Sequence, residues 1–176
     1  MPNSGTTRPP LYVVRNSSIH GRGVFAARRI RKGTRIVEYK GERIDNDEAD
    51  RRYDETGMKR HHTFLFTLDR NTVIDGAIKR GGGDASYINH SCAPNCEAVI
   101  TGKRIFIHAI ETIEPGTELA YDYQYERTGK NDKALERFYL CRCGAPACRG
   151  SIMKPAKKPR RKVRNSKKKG ARLKLR

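Results

Sequence analysis

The stretch that decides the fold is Asn89-His90-Ser91-Cys92, which is followed directly by Ala-Pro-Asn at residues 93–95. Two distant segments accompany it: Glu-Leu-Ala-Tyr-Asp-Tyr at residues 118–123 and Cys-Arg-Cys-Gly-Ala-Pro-Ala-Cys at residues 141–148. Each segment alone is a modest signal, but random sequence rarely produces the three in this order and at these separations. The combination is therefore specific although none of its parts is.

The positive charge of the chain is concentrated at its C-terminal end. The 176 residues carry a formal net charge of +19, and residues 153–176 contain 13 Lys or Arg but no Asp or Glu. The rest of the chain holds 25 basic and 19 acidic side chains and is only mildly basic. The tail has too few apolar residues to offset the entropy lost on ordering, so we expect it to be disordered. The part before it is long enough for one domain with a real core.

The sequence also bounds the cellular setting. No apolar run approaches the 18 residues that predict a membrane span. The N-terminus has no basic region followed by an apolar one, so we do not expect a classical secretory signal. We therefore expect an intracellular protein without membrane association. Five cysteines in such a chain indicate metal binding or chemistry rather than disulfides.

Short β-like runs separated by glycine or turn residues dominate the chain before the tail. A helix is predicted from Asp45 to about Thr56, with Asp45 as N-cap, Glu48 three residues later and Gly57 at the end. A second short helix is predicted over residues 131–139. Predicted strands cover residues 11–14, 23–27, 35–39 and 117–120, with hairpins of 63–68 with 71–74 and of 99–101 with 103–107. The fold class is mostly β.

The cysteines near the end of the domain have a spacing that suits a metal. Cys141, Cys143 and Cys148 are spaced C-x-C-x4-C, and a tetrahedral structural zinc site needs four ligands. The fourth must come from elsewhere, and Cys92 and Cys96 are the other cysteines of the chain. The alternative is a set of free buried thiols.

From about residue 11 to residue 151 the chain resembles the SET-domain protein lysine methyltransferases that carry a post-SET zinc segment. The resemblance implies a β-clip-like SET fold of short strands with a pseudoknot, few short helices and a C-terminal zinc hook. It divides the chain into a flexible N-terminus at 1–10, a SET domain at 11–126, a post-SET segment at 127–152 and the disordered basic tail at 153–176. In this family the cysteine of the Asn-His-Ser-Cys motif completes the zinc site. The implied structural Zn²⁺ ligands are Cys92, Cys141, Cys143 and Cys148, and Cys96 has no assigned role.

The family transfers a methyl group from S-adenosylmethionine to a lysine ε-amine. The second tyrosine of the Tyr-Asp-Tyr segment is the catalytic one in the family, which carries over to Tyr123. The first position, Tyr121, tunes how many methyl groups fit, and a tyrosine there resembles members that favour lower methylation states. Packing in a β-strand is the alternative explanation for both tyrosines.

The resemblance also implies a binding site for S-adenosylmethionine. Its first segment is Ile-His-Gly-Arg-Gly-Val-Phe at residues 19–25, although a Gly-x-Gly alone is more often a plain turn. Its second is the Asn-His pair of the 89–92 motif, where Pro94 and Asn95 serve the pseudoknot. The implied cofactor-binding residues are His20, Gly21, Arg22, Gly23, Phe64, Tyr87, Asn89, His90 and Arg142.

Two departures from the family leave a second function open. Phe64 stands where the family often has a tyrosine, and Ser86 precedes Tyr87 where the family often has an arginine. The first hypothesis is a lysine methyltransferase acting on a histone or a nucleoid-type, basic DNA-associated protein. The second is a weakly or non-catalytic, zinc-stabilised DNA- or chromatin-binding module.

The basic tail predicts nonspecific contact with nucleic acid. A disordered polycation binds it by counterion release, with steep salt dependence. Tethering to chromatin, nuclear targeting through residues 157–162 and self-methylation are functional hypotheses, and a solubility tail is the alternative. We expect a monomer associated with the chromosome, in a nucleus or in a bacterial nucleoid.

Overall fold

The computed structural model describes residues 9–53, 63–127 and 132–156. Ten short strands form three sheets: β1 with β2, a five-stranded sheet in the order β3-β9-β8-β10-β7, and a three-stranded sheet in the order β4-β6-β5. The strands are β1 Tyr12–Asn16, β2 Arg22–Ala26, β3 Arg35–Tyr39, β4 Glu42–Ile44, β5 Leu65–Thr67, β6 Val73–Asp75, β7 Asn89–His90, β8 Cys96–Thr101, β9 Arg104–Ala109 and β10 Ala120–Tyr121. The helices are α1 Asn46–Arg52 and α2 Asp132–Phe138, with 3-10 turns at Ile78–Arg80 and Asp84–Tyr87. The predicted fold class, mostly β with few short helices, is confirmed.

The hairpin of β8 and β9 shows why the turn signals located the strands well. Gly102 and Lys103 have φ angles of 55° and 59°, so both central residues of the turn are left-handed. Such a turn matches the right-handed twist of the strands it joins, and glycine adopts it without steric cost. Inward-facing Ile105 and Ile107 of β9 are completely buried in the core.

Strand β10 lies between two strands that are themselves joined by a short loop. It runs parallel to β7, where Ala120 pairs with Asn89 and Tyr121 with His90, and parallel to β8. Asn95, in the loop that connects β7 to β8, accepts a hydrogen bond from the Ala120 N–H at 2.9 Å and donates to the Glu118 carbonyl at 2.8 Å. This threading, expected of the pseudoknot, brings the segments 89–95 and 118–123 into contact.

Helix α1 begins where the sequence predicts. Asp45 has an extended backbone, and its carboxylate accepts from the Glu48 N–H at 2.8 Å, which is the first half of a capping box.

The predicted end of α1 near Thr56 was wrong. The helix ends at Arg52, and Tyr53 leaves helical geometry at φ −123°. The cause is tertiary: the Tyr53 hydroxyl donates to the buried Asp75 carboxylate at 2.7 Å, and Arg52 donates to the same carboxylate at 3.0 Å. Thr56 and Gly57 themselves lie outside the described residues.

The segment after α2 pairs with the chain that follows β10. Helix α2 precedes a segment in which Leu140 bridges Ser151 and Met153 bridges Tyr125. Met153 is completely buried. No helix among the described residues is long and apolar enough to cross a membrane. The predicted flexible N-terminus and basic tail fall mostly on residues 1–8 and 157–176, which lie outside the described residues.

Candidate functional site

Four thiols meet where the loop after β7 faces the segment that follows α2. The sulfur atoms of Cys92, Cys141, Cys143 and Cys148 all lie within 4.8 Å of one another. The Cys92 sulfur is 3.8 Å from that of Cys141 and 3.9 Å from that of Cys148. Zn–S bonds of about 2.3 Å in a tetrahedron place the sulfurs about 3.8 Å apart. The four donors therefore fit a structural zinc ion.

The backbone around these thiols also suits a metal thiolate site. The N–H groups of Cys92, Cys143 and Gly150 point to cysteine sulfurs at 3.4–3.5 Å. Cys96 does not join the cluster, because it lies in β8 with an exposure of 1%. Burial raises its thiol pKa to about 12, so it is an inert core residue.

The pKa values of the clustered thiols diverge. Burial raises the pKa of Cys92 and Cys141 above the ordinary thiol value. Burial also raises that of Cys143, but hydrogen bonds from the backbone of Cys92 and Ala145 and from neighbouring thiols outweigh it and lower the value to about 6. Four sulfurs this close do not all ionise without a cation, which a dication of the zinc type supplies.

Asn89 connects the motif to the loop between β1 and β2. Its side-chain amide donates to the Glu118 carboxylate at 2.8 Å, the Arg22 carbonyl at 3.0 Å and the His20 carbonyl at 3.3 Å. The Ser17 hydroxyl lies 3.1 Å from the same amide and donates to Glu118 at 2.7 Å. The predicted Asn89, His20 and Arg22 are therefore neighbours in space.

The two glycines of the same loop are needed for different reasons. Gly21 has a φ of +49°, a left-handed conformation that favours glycine. Gly23 has no such constraint, but a Cβ atom there would come within 2.4 Å of the Glu118 carboxylate. The close approach of Gly23 keeps the loop against Glu118 and Asn89.

His90 packs against the tyrosine segment, and its side chain is 4% exposed. Its Nδ1 accepts from the Tyr123 N–H at 3.1 Å, which leaves the ring proton on Nε2, 3.4 Å from the Cys92 sulfur. Burial lowers the pKa of His90 to about 4, against the opposing field of Asp122. The neutral ring therefore forms no ion pair with Asp122, although the two groups are 3.5 Å apart.

The two predicted catalytic tyrosines sit side by side. Their ring centroids are 4.8 Å apart, and the Tyr123 hydroxyl donates to the Ile88 carbonyl at 2.7 Å. Burial, and then the neighbouring Tyr125, raise the pKa of Tyr123 above its ordinary value. Burial likewise raises the pKa of Tyr121. Both phenols are therefore protonated at neutral pH.

An aromatic row continues on both sides of the pair. Phe66 lies 6.1 Å from Tyr121 and 5.3 Å from Tyr39, and Tyr125 lies 6.3 Å from Tyr123 and 5.1 Å from Tyr139. Aromatic faces of this kind suit a cationic ligand.

The remaining predicted cofactor-binding residues do not all lie close to one another. The Arg22 guanidinium stacks over the Tyr87 ring at 4.6 Å, so these two belong together. Phe64 is half-buried, and its carbonyl accepts from the Tyr39 hydroxyl at 2.6 Å. Arg142 is exposed on the cysteine segment, and no contact among the described residues joins it to Asn89 or His90.

Sequence reasoning missed several residues that hold this site. Ser17 and Glu118 fix Asn89, Asp122 and Arg149 connect the tyrosine segment to the cysteines, and Tyr39 and Phe66 extend the aromatic row. Glu118 and Asp122 lie inside the quoted 118–123 motif, which was the available signal. The others had none, because their roles depend on contacts between segments far apart in the chain.

Known proteins match the part of the chain that carries these residues. Residues 21–124 match the family model described as "SET domain". The chain is 40% identical over 157 residues to a protein of Candida albicans named "Histone-lysine N-methyltransferase, H3 lysine-4 specific". Proteins with the same name from Emericella nidulans and Saccharomyces cerevisiae are 43% and 41% identical over 143 residues. The alignments cover 85%, 77% and 77% of this chain but only 14%, 11% and 12% of the relatives.

Proposed function

The chain belongs to the SET-domain family, and we propose that it transfers a methyl group from S-adenosylmethionine to a lysine ε-amine of a histone or another basic DNA-associated protein. The observation that carries the proposal is the parallel pairing of β10 with β7, which brings Tyr121 and Tyr123 beside Asn89 and His90. The names of the fungal relatives support a histone as substrate.

S-adenosylmethionine would supply a methyl group on a cationic sulfonium, which is a strong electrophile. The residues that would hold it are those around the β1–β2 loop and β7. Backbone carbonyls and aromatic faces there suit a cation. We assign His20, Gly21, Arg22, Gly23, Tyr87, Asn89 and His90 to this role, and we propose Phe64, before β5, and Arg142, on the cysteine segment, as further contacts with the cofactor.

The proposed part of Tyr123 is to orient the lysine. Methyl transfer needs a neutral amine, so a lysine with an ordinary pKa near 10.4 must first lose a proton to solvent. The nitrogen lone pair then forms the new N–C bond as the S–C bond breaks, and positioning supplies much of the rate. The Tyr123 phenol, whose pKa is raised, remains a hydrogen-bonding group and does not act as the base.

Tyr121 is proposed to limit how many methyl groups the lysine receives. Its ring lies 4.8 Å from that of Tyr123 and 6.1 Å from that of Phe66, measured between ring centroids. A hydroxyl there holds an amine or a water molecule where a methylated amine would need room. We therefore expect lower methylation states as products.

The proposed domain plan follows the site. Residues 11–126 form the SET domain and 127–152 the zinc-binding post-SET segment, supported by the match at 21–124 and by the cysteine cluster. We propose that the tail at 153–176 contacts nucleic acid nonspecifically and thereby keeps the protein at chromatin. We also propose that the protein acts as a monomer.

The test is methyl transfer from radiolabelled S-adenosylmethionine to core histones. The second substrate is a histone H3 variant in which arginine replaces the lysine that the relatives' names specify. Tyr123→Phe should abolish transfer with zinc content intact. Tyr12→Phe is the matched control, because it removes a phenol hydroxyl from β1 instead. Label on histone that is lost only in Tyr123→Phe supports the enzyme, and loss of label on the H3 variant identifies the acceptor lysine.

Two other outcomes are informative. Transfer that is unchanged in Tyr123→Phe removes Tyr123 from its role. No label on any protein, with zinc and DNA bound, favours the non-catalytic DNA-binding module. A change of Tyr121 to Phe should shift the products towards higher methylation, measured by mass spectrometry of the substrate.

A further inference from the structure

A cavity lies apart from the residues assigned above. It has a volume of about 470 Å³ and is formed by the connection between β2 and β3 together with the residue before β1. None of its residues belongs to the 89–95, 118–123 or 141–148 segments. Its lining consists of Leu11, Arg28, Arg29, Ile30, Arg31 and Thr34.

The backbone that carries this cavity is firmly held. Ile30 and Ile113 exchange two hydrogen bonds at 2.8 and 2.9 Å, and the Gly33 N–H donates to the Ala109 carbonyl at 2.8 Å. Ile30 is 1% exposed and Ile113 is 2% exposed, so the connection is anchored in the core. The arginine side chains therefore project from a fixed base rather than from a loose loop.

The cavity has an excess of positive charge. Four of the five residues at 28–32 are Arg or Lys. Arg29 pairs with Glu114 at 3.0 Å, but both side chains are about two-thirds exposed, at 66% and 63%. An ion pair this exposed is strongly screened by water and salt. The positive charge of Arg28 and Arg31 has no carboxylate partner among the described residues.

Arg28 carries the decisive observation. Its Nε atom is buried, and it has no hydrogen-bond partner among the described residues. A buried charged donor without an acceptor is costly, and native structures rarely contain one without a reason. Solvent does not reach this atom in the conformation shown, so an acceptor in the cavity would remove this cost once the Arg28 guanidinium turns towards it.

We propose that this cavity binds a phosphate group. A phosphate offers several anionic acceptor oxygens, and arginine recognises it with a planar fork of donors. Arg28 and Arg31 would supply the charge, and Thr34 a hydroxyl donor, while Leu11 and Ile30 form an apolar wall. The group belongs either to a nucleic-acid backbone or to free phosphate, and this site is independent of methyl transfer.

The test observes the Arg28 Nε–H directly in the full chain. In ¹H–¹⁵N spectra of the arginine side chains, the signal that Arg28→Gln removes is assigned to Arg28. Inorganic phosphate is then titrated at constant ionic strength, with chloride as the matched anion. We expect a saturable shift of the Arg28 signal, and a loss of affinity of roughly tenfold in Arg31→Gln.

Arg70→Gln is the matched control, since it removes the same charge from the exposed turn between β5 and β6. It should leave the phosphate titration unchanged. Arg31 is exposed, so Arg31→Gln should fold normally even if Arg28→Gln does not.

A short DNA duplex added at the end separates the two sources. Displacement of phosphate by the duplex assigns the cavity to a nucleic-acid backbone, and no displacement assigns it to free phosphate. An Arg28 signal that does not saturate with phosphate, or an equal loss of affinity in Arg70→Gln, overturns the proposal. Neither result depends on methyl transfer.

Discussion

Arg149 donates to the Asp122 carboxylate at 2.5 Å, and this ion pair joins the cysteine segment to the residues after β10, which include Tyr123. Both side chains are largely buried, with exposures of 21% and 19%. Arg149 also donates to the Met153 carbonyl at 2.9 Å, so a single side chain fixes three parts of the site.

Removing this connection should loosen the site while leaving the metal in place. Arg149→Gln is expected to lower the free energy of unfolding by about 1–3 kcal/mol, because Asp122 loses a charge-assisted partner. Arg149→Lys keeps the charge but not the fork of donors, so it should recover part of the stability and of the methyl-transfer rate. The measurements are denaturant unfolding and zinc content. Unchanged stability and rate in Arg149→Gln would exclude the coupling.

The zinc assignment predicts a sharp difference between two cysteines. Cys148→Ser should lower the metal content from about one zinc ion per chain to nearly none, because a structural site needs its four ligands. Cys96→Ala is the control and should keep the metal, since Cys96 lies in the core of β8. Metal analysis and thermal unfolding measure both effects. Zinc retained in Cys148→Ser would contradict the ligand set.

Whether a feature of this structure could be predicted from the sequence depends on how far apart in the chain the contacting residues lie. The Asp45 cap and the Gly102 turn were predictable because their chemistry is local. The four thiols were predicted only through the family resemblance, since spacing alone left Cys92 and Cys96 as alternatives. The end of α1 was not predictable, because it is set by the buried Asp75 carboxylate, which comes from a strand far along the chain.

The Asp75 carboxylate should make the free energy of unfolding depend on pH in the acidic range. Burial raises its pKa, but hydrogen bonds from Tyr53, the Ala77 N–H and Arg52 outweigh this and hold it below the ordinary value. A depressed carboxylate stabilises the fold above the unfolded pKa of about 3.9, and this stability is lost as pH falls through the folded value. Asp75→Asn should therefore lower the free energy of unfolding by about 2 kcal/mol at neutral pH. The stability of this variant should also decrease less steeply as the pH falls.

Denaturant unfolding at a series of pH values measures this. Asp47→Asn, an exposed carboxylate in the first turn of α1, is the control and should change little. An acid dependence of unfolding that is identical in Asp75→Asn and in the parent chain would contradict the assignment.

The pH profile of methyl transfer should report the lysine substrate and not Tyr123. The phenol must be protonated to donate to the Ile88 carbonyl, and burial keeps its pKa above the ordinary value of about 10. The rate should therefore rise with pH from about 7 to 10 as the lysine amine loses its proton. A rate that is already level at pH 7 would contradict this, because a group with a pKa well below that of the substrate lysine, such as the phenol, would then act as the base.

Gly23 offers the most direct test of the Asn89 network. A methyl group at this position would come within 2.4 Å of the Glu118 carboxylate and 2.9 Å of the Ser17 side chain. Glu118 would have to move, and its hydrogen bonds to Ser17 and Asn89 would break. We expect Gly23→Ala to weaken binding of S-adenosylmethionine, measured by calorimetry, and to lower the methyl-transfer rate roughly 10- to 100-fold. Gly83→Ala is the matched control, because a Cβ atom there meets nothing within 4 Å, and equal losses in both variants would show that the effect is not local to Asn89.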